Sequence, residues 1–357
     1  TLIENSALYF NPPYYTLRIF VPGIPGAPPL DLANPFPIGG GFTPLPSVNT
    51  LDPHFRTGYS QQASVSIERV FRELTLAARY VTSHGEDLVR KRNINQPTPG
   101  PGPLDPRRPI PGFGDILLVE SKASSTYHGL QLSVDRQLLR RFELHGAYTL
   151  SKSMDDASAF LASDGNDNTP QNSRDPDAEW GPSDFDVRHR IVASTIWHIP
   201  AVGQSAILRD WQVSAIFTAQ SGRPFTPRLS FDNSNTGNSG GATFASDRPN
   251  VLVGPPASGQ STFSYNGRTF VIPPRYTFGD AGRNELTGPG YAALDLLVSR
   301  RIRLGSSRSV ELRLEIFNAL NRRNDQLPDS FVDRATFGQS LSTYSPRQMQ
   351  LAVRFSF

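Results

Sequence analysis

The sequence predicts an all-β protein, a portion of an antiparallel transmembrane β-barrel holding about 9–11 strands, with long extracellular loops. Three observations predict it. Apolar and polar residues alternate with a period of two in nine segments, which puts one set of side chains on each face of a strand. Those segments run to about 11–14 residues, longer than the 5 or 6 usual in soluble sheets and close to what a tilted strand needs to cross a bilayer. The linkers between them alternate in size, so that short and long connections fall on opposite sides.

Taken in chain order, the strands are expected at 57–69, 71–82, 124–138, 141–152, 186–199, 209–220, 291–304, 308–321 and 347–357. Within the first two, Ala63, Val65 and Ile67 share a face, as do Leu74, Leu76, Ala78 and Tyr80. The third and fourth carry Leu130, Leu132, Val134 and Phe142, Leu144, Tyr148, Leu150. Segments 186–199 and 291–304 alternate less cleanly, with Ile196 beside Trp197, while Trp211, Val213, Ala215 and Phe217 mark the strand at 209–220. The clearest case sets Val310, Leu312, Leu314 and Ile316 against Glu311, Arg313 and Glu315; a helix would mix these sets. In the last strand Met349, Leu351, Val353, Phe355 and Phe357 point one way and Gln348, Gln350, Arg354 and Ser356 the other.

Composition agrees with many short elements on irregular connections: 37% of residues are apolar, with 29 Gly and 32 Pro among 357. A net charge of +3 arises from scattered arginines with no basic block, which argues against a nucleic-acid partner. There is no cysteine, so no disulfide, thiolate metal site or cysteine nucleophile is available. No apolar run reaches the ~18 residues of a membrane-spanning helix. The sequence starts at Thr1 without a signal peptide, and the expectation is of a fragment or a processed chain.

An antiparallel soluble sandwich would alternate in the same way. Strand length, loop asymmetry and aromatic residues near strand ends (Tyr59, Tyr80, Tyr148, Trp197, Trp211, Tyr291) favour the membrane. Short turns near Val70, at Leu139-Arg140 and at Gly305-Ser306-Ser307, with the longer 201–208 link, are then periplasmic; 83–123, 153–185, 221–290 and 322–346 are external. Residues 1–56 read mostly as a further external loop. The external loops hold the low-complexity stretches 96–103 and 233–241, which carry too little apolar surface to form a core, and 221–290 has room for one more hairpin near 262–272. Nine strands do not close the even-numbered barrel usual for one bacterial chain, so further strands are expected upstream of Thr1.

Five stretches lie in an order that resembles one family: 148–156, 181–190, Gly282-Arg283-Asn284 with Gly288-Pro289-Gly290, 315–321, and 346–357. They resemble the C-terminal barrel of TonB-dependent outer-membrane receptors of the Oar-like type common in Acidobacteria. The resemblance implies a barrel of about 22 strands in the bacterial outer membrane. It also implies an N-terminal plug, uptake of a bulky substrate driven by the TonB complex, and an extracellular ligand that the sequence does not identify. No plug or coupling box is present in these 357 residues, so TonB would act through a region beyond them. On this reading 1–357 is the C-terminal part of a receptor barrel.

No catalytic residue and no cofactor are expected, and the partners are outer-membrane lipid and the machinery that assembles barrels. The alternation Met349, Leu351, Val353, Phe355, Phe357 resembles the signal that this machinery reads on a free strand edge; the plainer reading is an ordinary closing strand. Asp295, Glu311, Arg313, Glu315 and Arg354 are expected to face the lumen, against a plug or simply against water. Asp164, Asn166 and Asn168 with Asp175 form a weak calcium-loop candidate that lacks Gly at the sixth and Glu at the twelfth place. Asp175, Asp177, Glu179, Asp184 and Asp186 face Arg174, Arg188 and Arg190 in one segment, which reads as a structural ion network at the barrel rim. None of the six histidines has metal-ligand spacing and no Gly-x-Ser-x-Gly elbow exists; an enzyme would need a Ser, His, Asp site assembled from distant strands. A passive porin or adhesin built on the same barrel is the chief alternative.

Overall fold

The computed structural model describes residue 11 and residues 44–138, 141–158, 169–200, 209–238, 246–305 and 308–357. Its strands are β1 (Val48–Leu51), β2 (Tyr59–Phe71), β3 (Leu74–Asn93), β4 (Ile116–Leu138), β5 (Phe142–Asp155), β6 (Gly181–Pro182), β7 (His189–His198) and β8 (Trp211–Gln220). They continue with β9 (Pro224–Phe225), β10 (Asn250–Val251), β11 (Thr262–Tyr265), β12 (Arg268–Val271), β13 (Leu286–Thr287), β14 (Tyr291–Arg303), β15 (Ser309–Phe317) and β16 (Gln348–Ser356). Among the described residues no helix is long and apolar enough to cross a membrane.

Nine long strands form one antiparallel meander in the order β16-β15-β14-β8-β7-β5-β4-β3-β2, leaving β2 and β16 as its edges. Each of the nine segments expected from alternation overlaps one of them. The short β1 adds in parallel to β4, Val48 opposite Ile116, and β6 pairs with the end of β5. The turns at 139–140 and 306–307 and the link at 201–208 lie outside the described residues, as does most of 1–43.

The register carries a single face assignment across the sheet. Ile67 lies opposite Ala78, Ala78 opposite Leu132, Leu132 opposite Tyr148 and Tyr148 opposite Ile191. At the other edge Val298 lies opposite Leu314, and Leu314 opposite Leu351. On this face Val65 is 70% exposed, Ile67 73% and Leu351 83%, and among the described residues no second sheet of comparable size covers them. An apolar surface running over nine strands far exceeds what a soluble monomer leaves to water. Lipid is the medium in which it is stable, because only there does leaving Val, Ile and Leu uncovered cost nothing.

Two features differ from the sequence reading. Strands β3 and β4 run to 20 and 23 residues, well past the expected 71–82 and 124–138. Twenty residues at ~3.3 Å each extend ~66 Å, so the hairpin rises beyond the membrane. The register shifts between Gly85, Leu88 and Val89, where Asp87 takes a positive φ of 53°. Across this bulge the stretch His84 to Asn93 holds only two side-by-side aliphatic residues, Leu88 and Val89, among polar ones, so period-two alternation does not reveal it as strand.

The second difference is the core, which sits in the loops and not under the sheet. Phe225, Leu229, Phe270, Ala281, Leu286 and Val332 form a buried apolar cluster, with Tyr265 edge-on to Phe225 at 5.3 Å. The hairpin expected near 262–272 is β11–β12, and its Phe270 is fully buried. Gly222 and Gly288 let the chain ends of β8 and β14 cross: a Cβ on Gly222 would overlap the Gly288 carbonyl. The Gly288 N–H in turn donates to Arg223 O at 2.9 Å.

Candidate functional site

The loop-side rim is where the chain concentrates buried polar chemistry. Three of the sequence stretches that carry the family resemblance meet there. Ser153 N–H donates to the Asp186 carboxylate at 2.7 Å, the Ser153 and Ser183 hydroxyls share a hydrogen bond of 2.9 Å, and Ser151 Oγ donates to Val187 O at 3.0 Å. Arg283 enters this joint from the far side of the 221–290 loop. Its Nε donates to Glu179 O at 2.7 Å and its guanidinium pairs with Asp155, both side chains nearly fully buried. Asn284, at a positive φ of 56°, donates from Nδ2 to Pro182 O at 2.7 Å and to the Asp184 carboxylate at 2.5 Å. Asp186 is pushed above the usual carboxylate range by burial, against the Ser153 hydrogen bond and the charges of Arg188 and Lys152.

A second cluster stands on the raised β3–β4 hairpin. Arg90 Nε and Arg92 Nε both reach Glu120 Oε1, at 2.8 and 3.0 Å, and Arg90 also reaches Asp156 at 3.2 Å. Glu120 is fully buried. Asp156 is raised chiefly by burial, with the Ser124 N–H and Arg90 working the other way.

The acidic set of 175–186 therefore joins a rim network, but mainly through arginines from other segments. Glu179 pairs with Arg248, Asp184 with Arg283 at 3.5 Å, and Asp177 lies 3.6 Å from Arg90. Arg174 instead donates to the carbonyls of Gln96 and Pro97. Of the local arginines, Arg188 acts through its charge on Asp186.

The low-complexity stretches, described over 96–103 and 233–238, are packed by hydrogen bonds and not by the apolar surface they lack. Gln96 Nε2 and Asn238 Nδ2 both donate to Gln171 O at 2.8 Å, and Asn235 Nδ2 donates to Gly100 O at 2.8 Å. Ser234 N–H and Asn238 Nδ2 donate to Asp247, at 2.6 and 2.8 Å. Burial lifts Asp247 to about 6; the Ser234 and Asn238 hydrogen bonds oppose the rise and the neighbouring charge of Asp232 adds to it. Amides, hydroxyls and carboxylates that satisfy one another can be buried without an apolar core.

Of the calcium-loop candidate, Asp164, Asn166 and Asn168 lie outside the described residues. Asp175 lies within them, and its N–H donates to Asn172 O at 3.0 Å. Among the described residues no group of three or more His, Asp or Glu is placed to hold a metal ion.

At the β16 edge, Glu311, Arg313 and Glu315 fall on the polar face of β15. Arg313 stands 3.3 Å from Glu315 and Arg301 of β14 stands 3.6 Å from Glu311. Arg354 is opposite Glu311 in the register, and Gln350 bonds Glu315. Asp295 shares this face but serves a turn: it accepts the Asn318 N–H at 2.8 Å where β15 ends. Met349, Leu351, Val353 and Phe355 lie on the apolar face of β16, whose outer edge has no strand partner among the described residues. Sequence reasoning missed Arg90, Glu120, Arg248 and Arg283. Only the Gly-Arg-Asn triplet around Arg283 gave a signal, and it came from resemblance rather than pattern.

An antiparallel wall with one uncovered apolar face, one polar face and structured loops at one end defines a membrane β-barrel wall. Residues 2–350 match the family described as outer membrane beta barrel domain, and the chain belongs to that family, which places it in the bacterial outer membrane. Solved structures similar to it include the outer membrane transporter YddB from Escherichia coli, at 12% identity over 89% of this chain and 35% of that one, TM-score 0.49. A ferric enterobactin receptor variant, PfeA, from Pseudomonas aeruginosa shares 12% identity over 84% and 31%, TM-score 0.45. The ferric-catecholate import receptor Fiu from Escherichia coli shares 11% over 85% and 28%, TM-score 0.41. The chain spans about a third of the length of these structures. No curated protein matches it.

Proposed function

We propose that the chain is the C-terminal part of the barrel of a TonB-dependent outer-membrane receptor of the Oar-like type, which takes up a bulky substrate with energy supplied from the periplasmic side. The observation that carries this reading is the pair of open edges. Among the described residues nine long strands still leave β2 and β16 unpaired on one side. In hydrocarbon each unpaired backbone group costs several kcal/mol, so further strands complete the wall, and barrels of about 22 strands are the plugged transporters. In that barrel Asp295, Glu311, Arg313, Glu315 and Arg354 line the interior, the rim network meets the ligand, and Met349, Leu351, Val353, Phe355 and Phe357 form the strand read during assembly.

The experiment is conductance of the natural full-length protein in planar bilayers. A plugged receptor passes no steady current until the plug is loosened with denaturant. A steady open channel in the untreated protein favours the alternative, a passive porin, and overturns the receptor reading. An adhesin on the same barrel would stay closed with or without denaturant.

A further inference from the structure

The lipid-facing side of the sheet is sorted by charge sign. By register the strand carboxylates Glu68, Asp135, Glu143, Asp295, Glu311 and Glu315 all fall on the polar face. On the apolar face of the long strands stands one carboxylate, Glu86, at the loop end beside the bulge and bonded to His84 at 2.7 Å. The short-turn end of that face carries arginines instead: Arg69 opposite Leu76, Arg136 opposite Leu74 and Leu144, and Arg300 opposite Trp211 and Leu312.

Two of these guanidinium groups lie over aromatic rings. Arg69 is 4.7 Å from the centroid of Phe71 and Arg300 is 5.7 Å from that of Trp211. A ring at the membrane interface holds the cation at headgroup depth while the arginine stem lies along the apolar surface. The height fits. On β4, Arg136 and His128 bracket the run Leu130, Leu132, Val134. Eight residues at ~3.3 Å and a tilt of about 40° give ~20 Å, near the thickness of the apolar band of such barrels.

We propose that Arg69, Arg136 and Arg300 form binding positions for the phosphate of anionic glycerophospholipid in the leaflet at the short-turn end, the periplasmic one in the proposed orientation. A guanidinium matches a phosphodiester with two parallel N–H donors, and Leu74, Leu144 and Leu312 beside the arginines receive the acyl chains. Because no strand carboxylate among the described residues stands on this end of the face, a headgroup of net negative charge is favoured over a zwitterionic one. The turn carboxylates Glu73 and Asp210 belong to the connections beyond the strand ends.

The test is native mass spectrometry of the intact protein in mild detergent, titrated with phosphatidylglycerol or with phosphatidylcholine of the same chains. Phosphatidylglycerol should be retained about fivefold or more in preference, the scale of one interfacial arginine. The combined variant Arg69→Gln, Arg136→Gln, Arg300→Gln should lose the preference, while Lys152→Gln at the loop end should keep it. If the triple variant does not fold, wild type carries the test alone: the preference should fall as salt rises from about 0.05 to about 0.5 M. Equal retention of the two lipids by wild type, a preference that ignores salt, or a loss caused by Lys152→Gln instead overturns the proposal.

Discussion

Arg283 and Asp155, 128 residues apart in the chain, form a buried ion pair that ties the 221–290 loop to the end of β5. Removing one partner of such a pair leaves an uncompensated charge away from water, at a cost of about 3–5 kcal/mol. Arg283→Met should therefore free the rim while sparing the wall. Limited proteolysis should cut within 153–185 and 221–290 at much lower protease concentration, with heat-dependent gel mobility unchanged. Loss of both together would mean that the rim and the wall fold as one unit.

The loop core makes a separate prediction. Phe270 is fully buried in a cluster drawn from the 221–290 and 322–346 loops, and Phe270→Ala should destabilise the loop assembly by about 3–5 kcal/mol. Hydrogen exchange should accelerate across 225–286 and around Val332, with strand amides of β14 and β15 little changed.

Asp247 gives the rim a pH dependence of definite sign. Its folded pKa is raised to about 6 from 3.8, so between these values the folded rim binds the extra proton. The associated stability is fully present below about 3.8 and is lost as pH rises through about 6. Asp156 and Asp186 shift in the same direction. Exchange protection of 232–238 should thus increase as pH falls from 7 towards 5, after correction for intrinsic rates, and Asp247→Asn should flatten most of that change.

The face assignment is tested on neighbouring positions of β16. Leu351→Arg puts a charge on the lipid side and should cost about 2–4 kcal/mol if it lies near the midplane, seen as loss of the heat-modifiable folded band. Gln350→Arg, on the polar face opposite Glu315, should fold normally. Equal tolerance of both would contradict the lipid-facing assignment.

The sequence alone determined the wall: the nine long strands, their two faces, the alternation of short and long connections, and the hairpin in the 221–290 loop. These are local consequences of a period-two pattern, because successive side chains must point to opposite faces whatever else the chain does. Tertiary structure decided the rest. It lengthened β3 and β4 into a stretch with no alternation, where the two pair mainly with each other and, beyond the membrane, neither face has to meet lipid. It gave Glu179 to Arg248 and Asp184 to Arg283 in place of the arginines beside them in sequence. It buried Ser234, Thr236 and Asn238 in a segment that reads as too polar to form a core, because the cost of burying a polar group depends on partners such as Asp247 that only the folded loops bring within reach.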